Sequence, residues 1–253
     1  MLRRRPLGPA PFPLAATGSM PRFRSLLLWA AVLGAIALFL GLGVWQVERR
    51  AWKHDLIARV DARVAAAPAA APGPSDWAGL TRDGDEYRHV TLSGRFLDDR
   101  EVTVQALTEH GGGFWVLTPL ASDGFTVLVN RGFVPGDHRD PATRTPVEGP
   151  ATVTGLLRIT EPGGGFLRSN DPAAGRWYSR DVAAIAAAQG LDGPVAPYFI
   201  DADATPNPGG LPLGGLTVIR FPDSHLSYAL TWFGMAAGLA ALALYARRRG
   251  GKG

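Results

Sequence analysis

The chain has 253 residues, with 26 basic and 22 acidic side chains and no cysteine. The missing thiols exclude disulfides, cysteine nucleophiles and thiolate metal sites. Nine of the basic residues sit in two acid-free tails and all 22 acids lie between them, so the pI near 9.8 belongs to the tails and does not point to nucleic acid.

Residues 1–24 carry Arg3, Arg4, Arg5, Arg22 and Arg24, are rich in Pro and Ala, and lack apolar periodicity. They are predicted to be a disordered cytoplasmic tail, and Met20 is an alternative start. Residues 25–47 are uncharged. At about 1.5 Å per helical residue they can cross a hydrocarbon core of about 30 Å, so a first transmembrane helix is predicted. The apolar run is too long for a cleaved signal peptide, and the one A-x-A match, Ala35-Ile36-Ala37, lies inside it. Small residues four apart, Ala30/Gly34 and Ala37/Gly41, permit close helix contact.

Residues 48–225 are expected to form an exported, periplasmic domain. Leu56, Val60 and Val64 recur every four residues, so the first helix should continue to residue 67 and stop at Pro68. Strands are predicted over 87–97, 101–107, 114–121, 125–133, 153–159, 198–201 and 216–221. Ser122-Asp123-Gly124 reads as a hairpin turn. A short helix over 181–189 has Asp181 as N-cap and Gly190 as C-cap. Residues 226–246 form a second uncharged span with Ser224 as its N-cap and Gly234/Gly238 as a small-residue pair, and 247–253 form a basic cytoplasmic tail. Positive tails stay inside and the central segment is exported. The fold class expected is a membrane protein of α+β type. Two terminal transmembrane helices flank a mostly antiparallel β domain, barrel-like, with one or two short helices.

Catalytic signatures are missing. The glycine clusters at 111–113 and 163–165 lack the Lys-Ser/Thr of a phosphate loop, and there is no Gly-x-Ser-x-Gly elbow. His54, His89, His110, His138 and His225 are not spaced as metal ligands. The pairs Asp98-Asp99 and Asp85-Glu86 read as solvated turns. The soluble domain is expected to bind or scaffold, not to catalyse.

The chemistry concentrates where each span meets the exported side. In the first boundary segment Trp45, Arg49 and Trp52 share one helix face, and Gln46, Arg50 and Lys53 share the next. Indoles with cations fit an aromatic belt that binds lipid phosphates. They equally fit an anionic, partly apolar ligand. In the second, His225, Tyr228 and Trp232 line one face. An imidazole there is either a polar cap or a haem-iron ligand.

Five blocks in order resemble the Surfeit locus protein 1 family, the membrane assembly factors of cytochrome c oxidase. They run from Gly43 to Lys53, from Tyr87 to Phe96, from Gly113 to Leu120, from Val127 to Pro135 and from His225 to Gly234. The resemblance implies a non-enzymatic role in maturing the haem-a subunit, with oxidase subunit I, haem a synthase and membrane lipid as partners and a homo-oligomer possible. It implies haem a as transient cargo with His225 at the iron. Trp45, Arg49, Arg50, Trp52, Lys53, Tyr228 and Trp232 would contact the macrocycle or its propionates. The alternative is a haem-free adaptor that scaffolds the oxidase or the synthase. Gly113, Trp115, Asn130, Arg131 and Gly132 are either structural or a docking surface. The Ala, Gly, Pro and Arg content favours a bacterial inner-membrane protein.

Overall fold

The computed structural model describes residues 22–250, so the predicted tail up to residue 21 and residues 251–253 lie outside the described residues. In chain order the elements are α1 (Arg22–Ala65), β1 (Ala69–Ala70), α2 (Arg82–Asp85), β2 (His89–Phe96), β3 (Val102–Thr108), β4 (Gly111–Ala121), β5 (Thr126–Pro135), β6 (Ala151–Ile159), α3 (Val182–Ala188), β7 (Val195–Ala202) and α4 (His225–Gly250). Two compact units result: His54–Pro222, and the described residues up to Lys53 together with those from Asp223 onward.

The smaller unit contains α4 and the part of α1 up to Lys53. α1 and α4 are both long and apolar enough to cross a membrane. Arg22, Phe23 and Arg24 belong to α1 and not to the expected tail. The two helices pack through Ala229 and Ala236, which are buried, and through Phe39 stacked on Trp232 at 5.7 Å. The close approach occurs at Gly43, where a Cβ would meet the Phe233 ring at 2.4 Å. The glycines expected to make this contact, Gly34, Gly41, Gly234 and Gly238, have nothing within 4 Å of a Cβ position. Spacing marks where a backbone could approach; a large neighbour across the seam decides where it does.

In the larger unit β2, β6, β7, β5 and β4 are neighbours in that order. The row closes on itself where Arg95 and Phe96 of β2 pair with Ala121 and Leu120 of β4. The expected barrel is therefore present. All pairs of the ring are antiparallel except β5 with β7. The predicted hairpin joins β4 to β5, with Gly124 at φ +79° and Ser122 N–H donating to Phe125 C=O. β1, a two-residue strand parallel to β2, was not legible in its Ala-rich sequence.

The period of two along each strand sorts side chains into two cores. Val127, Val129, Tyr198, Ile200, Val90 and Leu157 fill the barrel. Leu128, Phe199, Leu117 and Val104 face outward and are covered by Trp177 and by Val182 and Ile185 of α3. Covered on both faces, residues 127–129 of β5 form a continuous apolar run, Val-Leu-Val. Each Val or Leu so enclosed contributes about 1.5–3 kcal/mol. α3 forms where predicted: Asp181 accepts from Ala184 N–H, and Gly190 follows at φ +57°. α1 ends at Ala65, two residues before the expected stop.

Two expectations fail here. Residues 216–221 alternate like a strand but form no ladder. Thr217 donates to Asp201, whose strand β7 is already flanked by β5 and β6, so no edge is open to receive them. Glu86 is buried and not a solvated turn residue. Its carboxylate accepts from Arg158 Nε at 2.8 Å and from Ile159 N–H at 2.9 Å.

Glu86 belongs to an ion network on the outer face of β6 and β7. Asp201, 3% exposed, accepts from Arg158 at 2.6 Å, Arg180 at 3.2 Å and Asn130 at 2.8 Å. Glu161 accepts from Arg180 at 2.6 Å. Burial alone would lower the Arg158 guanidinium; the Asp201 and Glu86 carboxylates outweigh it and hold the group above its ordinary value. Removing one partner from such a network leaves a buried charge uncompensated. Asp201→Ala in the full chain is expected to cost about 3–5 kcal/mol in urea unfolding in detergent. Asp99→Ala removes an exposed pair with Arg100 and is expected to stay within about 0.5 kcal/mol. Equal effects would mean that the network carries no special load.

Candidate functional site at the helix pair

Gln46 is the one amide in an otherwise apolar stretch of α1, and it is buried. A buried amide away from water needs a partner. It finds one on the other helix: Gln46 Oε1 and His225 Nδ1 are 2.7 Å apart. With the amide oxygen as the acceptor, a neutral imidazole donates from Nδ1 and keeps its lone pair on Nε2. His225 is the first residue of α4. Its backbone N–H donates to Asp223 Oδ1 at 3.0 Å. Asp223 supplies the side-chain acceptor that the sequence assigned to Ser224, and the Ser224 C=O accepts from Tyr228 N–H. Asp223 Oδ2 also lies 3.8 Å from Arg50 Nε. Gly43, Gln46 and Arg50 fall at i, i+3 and i+7, one face of α1. That face meets α4 at Phe233, His225 and, just before it, Asp223.

The eight residues singled out from the sequence thus divide. His225 and Arg50 lie at the helix seam. Trp232 lies there too, committed to Phe39. Lys53 follows Arg50 by three positions on the same face and is half-buried. Trp45, Arg49 and Trp52 form a separate, exposed flank, where the Arg49 guanidinium sits 4.0 Å over the Trp52 ring. Tyr228 is exposed. Gln46 and Asp223 were not among the eight. A lone polar side chain inside an apolar run was the available signal for Gln46, and an Asp three residues before the second uncharged span was the signal for Asp223. Among the described residues no group of three or more His, Asp or Glu side chains could hold a bare metal ion.

The central blocks resolve as structure. Val116 of β4 pairs with Gly132 and Leu117 with Asn130, so Arg131 is the extra residue of a β-bulge. Its guanidinium donates to Asn207 Oδ1 at 3.1 Å and lies over the Phe96 ring. Burial pushes it below its ordinary value, and Glu101 and Asp98 oppose that. Gly132 has φ +132°, and a Cβ there would meet Leu213 C=O at 2.1 Å, so only glycine fits. A Cβ at Gly113 would meet Val134 C=O at 2.3 Å, and Trp115 packs edge-on against Phe133.

A family model described as the SURF1 family matches residues 33–237, a span that includes both boundary segments. A SURF1-like protein of Monosiga brevicollis is 37% identical over 243 residues, covering 89% of this chain and 89% of its own. Surfeit locus protein 1 of Homo sapiens is 36% identical over 239 residues, 86% of this chain and 76% of its own. Surfeit locus protein 1 of Takifugu rubripes is 33% identical over 234 residues, 84% and 93%. These relatives are eukaryotic, so the bacterial origin expected from composition gains no support from them.

The seam makes a spectroscopic prediction. In histidine-labelled protein, nitrogen NMR is expected to find the His225 proton on Nδ1, and Gln46→Leu is expected to shift it toward Nε2. An unchanged tautomer in Gln46→Leu would mean that Gln46 does not set it.

Proposed function

The chain belongs to the SURF1 family, and from that premise we propose that it is an assembly factor of cytochrome c oxidase that binds haem a and passes it to subunit I. The observation that carries this reading is the 2.7 Å contact between Gln46 and His225. Histidines that ligate metal donate their second ring N–H to a fixed acceptor, which sets tautomer and ring orientation. Gln46 does this for His225 and leaves Nε2 as the ligating atom. With no multi-residue metal site among the described residues, an iron held by one histidine must bring its other ligands with it, as a macrocycle does.

In this reading α1 and α4 cross the membrane, both basic tails lie on the cytoplasmic side and the β unit is exported, into the periplasm of a bacterial host. Arg49, Arg50 and Lys53 are the cations within the boundary segment for the propionates, and Trp45, Trp52, Tyr228 and Trp232 are its aromatic surface for the ring. A haem held through one protein ligand would be released more readily than one held through two, which suits a cargo that has to leave. The synthase that makes haem a is the donor, and subunit I is the acceptor. No step of this role requires the chain to catalyse.

The full chain, co-expressed with haem a biosynthesis and purified in detergent, is expected to show a haem a absorption spectrum. His225→Ala is expected to lose at least about tenfold of it at equal protein, since even a partner that only orients a metal ligand typically contributes about 10- to 100-fold. A wild-type protein without haem would replace the carrier reading with that of a haem-free adaptor.

A further inference from the structure

The sequence Gly163 to Arg168, passed over above as no phosphate loop, forms the most conspicuous surface feature of the β unit. Arg168 N–H donates to Gly165 C=O at 3.2 Å, which makes Gly165 to Arg168 a four-residue turn with Phe166 and Leu167 at its tip. Phe166 is 92% exposed and Leu167 is 89% exposed. Leu167 also sits at φ +56°. The third position of a turn with positive φ there is ordinarily glycine, because a Cβ is strained in it. One residue therefore bears two costs, backbone strain and an apolar side chain in water.

The turn is firmly based. Gly163 N–H donates to Asp181 and Gly164 N–H to Ser179 Oγ. Asn170 Oδ1 accepts from the N–H groups of Tyr178 and Ser179. Gly164 cannot carry a Cβ, which would meet Arg168 C=O at 2.3 Å. The fold holds these apolar side chains outward on a fixed base.

Beside the tip lies the free end of the sheet. β3 is the last strand of the row. Its outer edge is bridged once, where Gln105 N–H donates to Trp177 C=O. Two residues on, Leu107 presents its N–H and C=O to that same edge. Among the described residues it meets no backbone partner there. Leu107 is 86% exposed. A groove of about 480 Å³ runs between this edge and the tip, lined by Leu107, Phe166 and Tyr178, with Arg168 as its one charged side chain. An open strand edge with a mixed polar and apolar groove beside it can accept an extended peptide by main-chain pairing.

We propose that the β3 edge and the Phe166–Leu167 tip form a docking surface for an extended segment of a partner protein, apolar at one position and acidic beside it, and that the partner is the oxidase under assembly. The apolar side chain lies between Leu107 and Phe166, its backbone pairs with Leu107, and its carboxylate meets Arg168. Strain at Leu167 is retained because the partner covers it. The identity of the partner rests on the assembly reading above; the surface itself does not.

The test places a photo-crosslinking phenylalanine analogue at Phe166 of the full chain in membranes that are making oxidase. The expected result is an adduct with an oxidase subunit, mapped by mass spectrometry to an exported segment that contains an acidic residue. Leu167→Gly relieves the strain, and Leu107→Pro removes the outward N–H together with the exposed Leu side chain, so neither is expected to lower the thermal midpoint while both lower adduct yield at least about tenfold, the loss expected of a partner contact at the centre of an interface. An adduct of the same kind on another protein keeps the surface and removes the oxidase reading. Adducts with lipid alone or with a second copy, no adduct, or a yield unchanged in both variants would overturn the surface, whatever haem content His225 confers.

Discussion

A single hydrogen bond between polar side chains, Gln46 to His225, spans 179 positions of the chain and joins the start of α4 to α1. The Gln46 amide is buried in an apolar stretch and has no water to turn to, so it depends on the half-buried imidazole for a partner. Around that bond Gly43 admits the Phe233 ring, Phe39 stacks on Trp232, and Asp223 links the α4 terminus to Arg50. In the proposed carrier reading the same bond selects which imidazole nitrogen faces the iron. Packing and chemistry are thus set by one contact.

The β unit solves a different problem. A closed ring of five strands removes most edges, and its long strands are enclosed on both faces. Charges near this apolar body are paired, in a network around Asp201, where Phe199 lies under the Arg180 guanidinium at 4.8 Å, and in the buried pair of Arg144 with Glu101. The end of β3 and the turn beside it stay open.

The sequence made some of this legible and hid the rest for physical reasons. The helices, the Asp-Gly hairpin and the Asp181 and Gly190 caps were readable because each rests on local geometry. The barrel was readable as a class from its count of short strands. The parallel β5–β7 pairing was not, since nothing local encodes which strands meet. Residues 216–221 had strand periodicity without an edge to join. Glu86 read as a turn acid because its partners, Arg158 and Ile159, lie more than 70 positions away. At the candidate site the eight residues were visible as boundary aromatics and cations, yet their division into a seam and a flank was not. That division depends on which face of α1 meets α4, and Gln46 decides it.

The most direct test of His225 as an iron ligand is rescue from solution. In His225→Gly, added imidazole is expected to restore the haem a spectrum of the detergent-purified full chain in a concentration-dependent way, because the free ring can occupy the vacated position. A polar cap cannot be rescued in this manner. Failure of imidazole to restore haem, or haem retained by His225→Gly without it, would contradict the assignment.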